Sequence, residues 1–307
     1  MSESNYLILH RKSANKPYVK EAVKAVRKEG IKLRVLVPFN KAEKPRVVLE
    51  ALERGADRII AGGGDGTINA VAAALIGKGK EKPAVTLGVF PLGTANDFAR
   101  GCGLPADDLT ECLRIACTRE GRHIDVGVMN KRYFINVASM GFGAEITATT
   151  PVQLKKALGG GAYTLMGMVK AMNLTPYTGR LLVPGQEPIE GNMLFGAVGN
   201  NHFAGGGFDI APNAKLDDGL LDLTAIMHSP GFSLTDLARE LADPTNPDNR
   251  FVVYRQLSKF TIEADQKLHC NLDGEPVSKK KLKFNILPGS CSWLIEAKVN
   301  TRKSSRP

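Results

Sequence analysis

Gly62-Gly63-Gly64-Asp65-Gly66-Thr67 stands between a strand-like apolar run, residues 58–61, and a helix-like run, residues 68–75. Glycines at such a junction let backbone N–H groups turn inward, and the following helix adds unpaired amides and the positive end of its dipole. The segment is therefore suited to hold an anion. Asp65 is its odd member, because a carboxylate beside a phosphate repels it unless a metal ion, or a donor the carboxylate orients, lies between them. A nucleotide with magnesium is the expected ligand. A second segment, Pro91-Leu92-Gly93-Thr94-Ala95-Asn96-Asp97-Phe98-Ala99-Arg100, repeats the arrangement after another apolar run, residues 85–90. Two strand-loop-helix crossovers in succession place both loops at the carboxyl edge of one parallel sheet, where open α/β folds bind ligands. Together they can enclose a triphosphate. No Gly-Lys-Ser/Thr follows the glycines, and the G-x-G-x-x-G spacing fails at Thr67, so the loop is neither a Walker A loop nor a dinucleotide fingerprint.

Two acidic elements lie further along. Leu272-Asp273-Gly274-Glu275-Pro276 sets two carboxylates around a glycine, and Pro276 restrains Glu275 to an extended backbone. A glutamate partly desolvated in a cleft suits proton abstraction. Asp-Gly is also the commonest hairpin signal, and by itself the run fits a turn with two solvated acids equally well. Asp217-Asp218-Gly219-Leu220 reads as an acidic turn before a strand. The five histidines are scattered with no HxxxH or HxH pair and take no role.

Elements that must carry these residues follow from pattern. Residues 6–9 and 33–37 read as strands, residues 17–29 as a helix with Pro17 at its start and Gly30 past its end, and residues 45–54 as a helix closed by Gly55. This alternation means a parallel sheet flanked by helices. After Gly121 the runs become β-type: residues 133–137, 193–198, 220–226, 251–254, 260–262 and 282–287. Helices are expected only at 153–158, 163–172 and 233–242, and the apolar stretch 162–172 reads as core packing before an acyl-chain entrance. The boundary falls near residues 121–125: an α/β nucleotide-binding domain over 1–124, then a mainly antiparallel β-sandwich over 125–307 that takes the substrate. The active site is expected in the cleft between them.

At 307 residues and 43% hydrophobic content the chain can fill two cores. No apolar run approaches the ~18 residues needed to span a bilayer, and residues 1–5 lack the features of a secretory leader, so a cytoplasmic protein is expected. Five cysteines, an odd number without zinc-type pairing, read as free thiols in a reducing compartment. Lys and Arg exceed Asp and Glu by 41 to 31, a formal charge of +10, with basic clusters at 11–28, 279–283 and 298–306. Such clusters attract anionic headgroups, which would allow peripheral contact with the inner membrane face, although many charge runs are simply solvated. Nucleic acid is not an expected partner, since aromatic content is 6% and the basic residues form no single stripe.

With GGDGT at 63–67 and PLGTANDFAR at 91–100, the chain resembles the diacylglycerol kinase-type catalytic domain. NAD kinases and phosphofructokinases share the first motif, whereas the second points to lipid kinases, and the bacterial YegS-type group matches best. The resemblance extends through Gly205-Gly206-Gly207, Asp217-Asp218-Gly219-Leu220 and Asn271-Leu272-Asp273-Gly274-Glu275-Pro276. It implies an ATP- and magnesium-dependent kinase that phosphorylates a free hydroxyl on a membrane lipid. It further implies nucleotide contacts at Gly64, Asp65, Gly66, Thr67, Ile68, Asn69, Ala70 and Thr94. Glu275 becomes the proton acceptor, and magnesium is held by the Asp218 carboxylate with main-chain carbonyls of Lys215 and Leu220. The chain after Trp293 is expected to return to the first domain. Two positions depart from the pattern: many relatives carry glutamate where this chain has Ala70, and some carry threonine where it has Pro38. An NAD kinase-like enzyme and a non-catalytic, nucleotide-gated lipid-binding regulator remain as alternatives.

Overall fold

The computed structural model describes residues 4–76, 85–141 and 176–293. The expected helices at 153–158 and 163–172, the stretch 162–172 and the chain after Trp293 lie outside these residues.

Alternating strands and helices form the first half. Asn5–Leu9 (β1) is buried along its whole length, as a strand must be when helices cover both faces of its sheet. A single helical turn, Arg11–Ala14 (α1), leads into Pro17–Lys28 (α2). In α2 the buried residues Val19, Ala22, Val23 and Val26 recur at helical spacing, while Lys16, Lys20, Lys24 and Lys28 are exposed on the other side. Leu33–Leu36 (β2), Lys44–Glu53 (α3), Arg58–Gly63 (β3), Asp65–Ile76 (α4), Thr86–Pro91 (β4), Asp97–Gly101 (α5) and Leu109–Thr118 (α6) complete this part. The four strands are parallel in the order β2-β1-β3-β4. Because Gly63 pairs with Pro91, the carboxyl ends of β3 and β4 finish level. That register sets the two glycine-bearing loops side by side.

The second half is antiparallel: Arg122–Met129 (β5), Arg132–Phe134 (β6), Val137–Met140 (β7), Tyr177–Leu182 (β8), Ile189–Gly199 (β9), Phe203–Ala204 (β10), Phe208–Asp209 (β11), Leu221–Met227 (β12), Val252–Leu257 (β13), Lys259–Leu272 (β14) and Glu275–Trp293 (β15). One helix, Leu234–Ala242 (α7), is capped by Ser233, whose hydroxyl accepts from the Asp236 amide at 3.3 Å. The expected strand over 133–137 is broken at Ile135 and Asn136, whose amides turn toward a side chain described below. β7 and β8 lie between β9 and β14 at opposite ends, so the chain leaves that lane after Met140 and re-enters it at Tyr177.

The expected pairing of a parallel α/β part with an antiparallel β part is what the chain forms. One feature went unforeseen: Trp293 of β15 pairs in parallel with Leu87 of β4, which merges both parts into a single thirteen-stranded sheet. One core cluster fills the first half and extends to Ile124, Val126 and Ile135. A second lies within the antiparallel part, and a third lies under α7.

Candidate active site

The first loop is tighter than its sequence implies. Gly62 and Gly63 still belong to β3 and α4 starts at Asp65, which leaves Gly64 as the only link. The helix N-terminus therefore sits directly at the sheet edge, with Gly64, Asp65 and Gly66 partly exposed and Thr67, Ile68 and Asn69 buried beneath them. The second loop meets the first backbone to backbone at Gly93, where a Cβ would lie 2.6 Å from the Gly64 Cα. Asn96, in the left-handed region at φ 51°, accepts the Gly93 amide at 2.8 Å. Asp65 answers its own charge by joining the loops: its carboxylate accepts from the Phe98 amide at 3.0 Å and the Asp97 amide at 3.3 Å, at the start of α5.

Asp97 repeats the device in the next layer. It is buried and accepts from the amides of Gly206 and Gly207 at 2.9 and 2.7 Å. Burial pushes its carboxyl above the ordinary range, and the two amides and Arg100 oppose that push while Asp65 adds to it. Asn201 donates to the Phe98 carbonyl at 3.2 Å from the same side.

The Asp273-Gly274 pair connects β14 to β15 as a two-residue hairpin. Both residues have positive φ, 47° and 96°, as a type I′ turn requires. Leu272 pairs with Glu275, so Glu275 opens β15 at a fixed register and is partly exposed. Asp273 points inward. It is buried and accepts from the amides of Ile135 at 2.7 Å, Val137 at 2.8 Å and Asn136 at 3.2 Å. This is why the strand breaks at 135–136. Burial pushes the Asp273 carboxyl up to about 6, against the downward pull of those three amides. The turn reaches the first loop, since a Cβ on Gly66 would lie 3.7 Å from the Asp273 carbonyl oxygen. The run is therefore a hairpin, but with Asp273 buried rather than solvated.

Residues 215–220 form the acidic turn. Asp218 is exposed and its Oδ1 accepts the Leu220 amide at 3.0 Å. Burial raises its carboxyl, the Leu220 amide lowers it, and neighbouring Asp125 and Asp217 raise it further. Asp217 is paired with Arg122 at 2.5 Å. Buried Asp125 accepts from the Gly219 amide and from the Gly289 amide, each at 2.7 Å, tying the turn to β5 and β15. Asn200 donates to the carbonyls of Asp125 at 3.0 Å and Ile135 at 2.9 Å, which links this turn to the segment that holds Asp273. Among the described residues no group of three His, Cys, Asp or Glu side chains gathers as a metal cage. One carboxylate with main-chain oxygens is the donor chemistry that suits magnesium, which keeps several of its waters.

A cleft of about 810 Å³ has Arg100 and Cys102 on one wall and Asn201, Lys215, Asp218 and Leu220 on the other. The structure thus gathers Lys215, Asp218 and Leu220 in one place, and Glu275 with the first loop in another. The network through Asn200 and Asp125 joins the two. Sequence reading missed Asp97, Asp125 and Asp273 as anchors; each stands in or beside a motif already singled out, but their partners are 94 to 164 residues away in all seven bonds. It also missed Lys44, the first residue of α3, which is buried with Nζ 3.4 Å from the Thr67 hydroxyl. A cation at a helix start gives no sequence signal, because that end favours acids. Cys102, Cys112, Cys117 and Cys270 are buried, and burial pushes the Cys112 and Cys270 thiols up to about 12, which leaves those two unreactive.

Comparison with known proteins agrees with this arrangement. Residues 5–129 match the diacylglycerol kinase catalytic domain, and residues 136–295 match the YegS C-terminal NAD kinase beta sandwich-like domain. The chain is 46% identical over 288 residues to a "Probable lipid kinase YegS-like" protein of Chromohalobacter salexigens, covering 93% of this chain and 91% of that one. It is 40% identical over 289 residues to the protein of the same name in Klebsiella pneumoniae, covering 94% of each. A crystal structure of a diacylglycerol kinase from Bacillus anthracis superposes with a TM-score of 0.74 at 19% identity over 96% of this chain and 97% of that one, a likeness of fold. Two domain matches in sequence order and near full-length identity of this degree leave one conclusion, that the chain belongs to the YegS-like lipid kinase family.

Proposed function

We propose that this enzyme transfers the γ-phosphoryl group of ATP to a free hydroxyl on a membrane lipid, with magnesium bound. The observation that carries the reading is the seat of the hairpin: the turn that fixes Glu275 adjoins the loop that starts α4. A proton acceptor and a phosphate cradle then face one substrate position. The lipid hydroxyl oxygen attacks the γ-phosphorus, its proton passes to the Glu275 carboxylate, and the bond from phosphorus to the bridging oxygen of ADP breaks. Little covalent chemistry falls to the protein, and positioning with charge stabilisation does most of the work. Residues 64–70 and Thr94 are assigned to the nucleotide, within a nucleotide-binding domain of residues 1–124. Asp218 and the carbonyls of Lys215 and Leu220 would hold magnesium, which supplies positive charge and order to the cleft.

The test is transfer of labelled phosphate from ATP with magnesium to a panel of lipids in mixed micelles, beside NAD and the Glu275→Gln variant. Label on a lipid, lowered roughly a hundred- to ten-thousand-fold by Glu275→Gln while ATP binding persists, is the expected result. Label on NAD alone would replace the reading with an NAD kinase. ATP binding without label on any acceptor would replace it with a regulator.

A further inference from the structure

Large exposed apolar side chains are few in the described residues: Phe39 at 73%, Tyr18 at 46%, Val37 at 42% and Ile189 at 41% exposed. Three of the four belong to one corner of the first half, and topology brings them together. Arg27, near the end of α2, donates to the Leu33 carbonyl at 2.8 and 3.1 Å, which pins that end of the helix to the start of β2. From Arg27 back to Tyr18 the helix spans about 13 Å at 1.5 Å per residue. From Leu33 forward to Val37 the strand spans about 13 Å at 3.3 Å per residue. Tyr18 and Val37 therefore both lie toward the carboxyl edge of the sheet, beside the edge strand and on the same edge as both phosphate loops. Phe39 is held outward by an ordered turn: its amide donates to the Glu43 carboxylate at 3.1 Å, and Asn40 and Glu43 exchange two further bonds of 3.1 Å.

Cations run from this corner along α2. Arg11, Lys12, Lys16 and Lys20 lie at its Tyr18 end and Lys24, Arg27 and Lys28 further along, all exposed, with Glu21 the one acid in residues 11–28. Lys16, Lys20, Lys24 and Lys28 form a ladder with four-residue spacing on the outer face of α2. Between α2 and the sheet edge runs a groove of about 470 Å³ with an apolar floor of Leu9, Val19, Val23 and Val35 and a rim that includes Lys20 and Lys24. An apolar tip beside a cationic helix face matches a bilayer with anionic headgroups better than it matches water or a neutral protein surface.

We propose that this corner, with Phe39, Val37 and Tyr18 inserted and the α2 lysines on the headgroups, is the surface by which the protein docks on an anionic membrane. It turns the carboxyl edge of the sheet, and with it the phosphate loops, toward the bilayer. This docking goes beyond phosphoryl transfer and is measured without it. The experiment is co-sedimentation of the full chain with vesicles of phosphatidylcholine alone or with phosphatidylglycerol at three to one, without ATP, for wild type, Phe39→Ala and the double variant Lys20→Glu/Lys24→Glu. Each variant's thermal unfolding is checked against wild type. Binding only to the anionic vesicles, weakened by salt, lowered about tenfold or more by the double variant and several-fold by Phe39→Ala, is the expected result. Equal binding to neutral vesicles, or wild-type binding by both variants, would overturn it. So would a wild-type dimer that Phe39→Ala dissociates while vesicle binding is absent, which would give the patch to a second copy. All these variants should phosphorylate a micelle-dispersed lipid at the wild-type rate. If no lipid is ever labelled yet vesicle binding follows the pattern above, docking stands and the kinase reading fails.

Discussion

The parallel and antiparallel halves hold their functional loops by different means. In the parallel half, position comes from local order: β3 and β4 end level, a helix starts one residue later, and two glycines touch. In the antiparallel half the turns are held by buried aspartates that collect backbone amides from distant segments, Asp273 from 135–137 and Asp125 from Gly219 and Gly289. The first device tolerates changes of side chain but not of backbone spacing. The second depends on single carboxylates.

Asp273→Ala tests this contrast at its strongest point. It strips three buried amides of their acceptor, and breaking a buried charged network of this kind costs about 3 to 5 kcal/mol, readable by urea unfolding. A pH series sharpens the result. Asp273 has a folded value raised to about 6 from 3.8, so the folded chain holds a proton there that the unfolded chain has released. That contribution is complete below about 3.8 and is lost as pH rises through about 6. Wild type should therefore exceed Asp273→Ala by about 1 kcal/mol more at pH 5 than at pH 7. A difference that grows with pH instead would show that the three amides outweigh burial and hold the carboxyl ionised.

A backbone change should do comparable harm only in the other half. Gly93→Ala drives a Cβ to 2.6 Å from the Gly64 Cα and 2.8 Å from the Asn96 Oδ1; the first cannot yield without parting the loops, and the second cannot without loosening its bond to the Gly93 amide. A loss of about 1 to 3 kcal/mol in stability is expected, with ATP affinity down about tenfold by calorimetry. Gly66→Ala is the control, because its nearest neighbour is 3.7 Å away. It should leave stability within about 0.5 kcal/mol. If Gly66→Ala destabilises as much as Gly93→Ala, the loop contact is not what sets the first half.

The same contrast explains how much could be read from the chain. Strand and helix alternation through residue 90 was legible because apolar spacing, Pro17, Gly30 and Gly55 all act within a few residues of one another. The Asp-Gly hairpin was legible for the same reason. The break at Ile135 and Asn136 was not, because its cause is a carboxylate 137 residues later, and apolar runs carry no trace of such a partner. Nor was the meeting of Leu87 with Trp293, which closes the sheet across most of the chain. Lys44 reaches Thr67 only because α3 packs beside α4.

The smallest effect separates backbone from side-chain recognition in the first loop itself. Ala70 lies partly exposed in the second turn of α4 and Pro38 is buried after β2, the two positions read in the sequence as departures from the resemblance. If short glycine-lined amides do most of the holding, restoring both polar groups should add little. One or two new hydrogen bonds contribute about 0.5 to 1.5 kcal/mol each, so Ala70→Glu with Pro38→Thr should tighten ATP binding by a factor of roughly 2 to 150 in calorimetry with magnesium, with turnover per bound ATP unchanged. No gain would mean that the loop amides, with Lys44 behind Thr67, already complete the nucleotide site. A larger gain would shift the weight to side chains, and the first half would then resemble the second in depending on single polar groups.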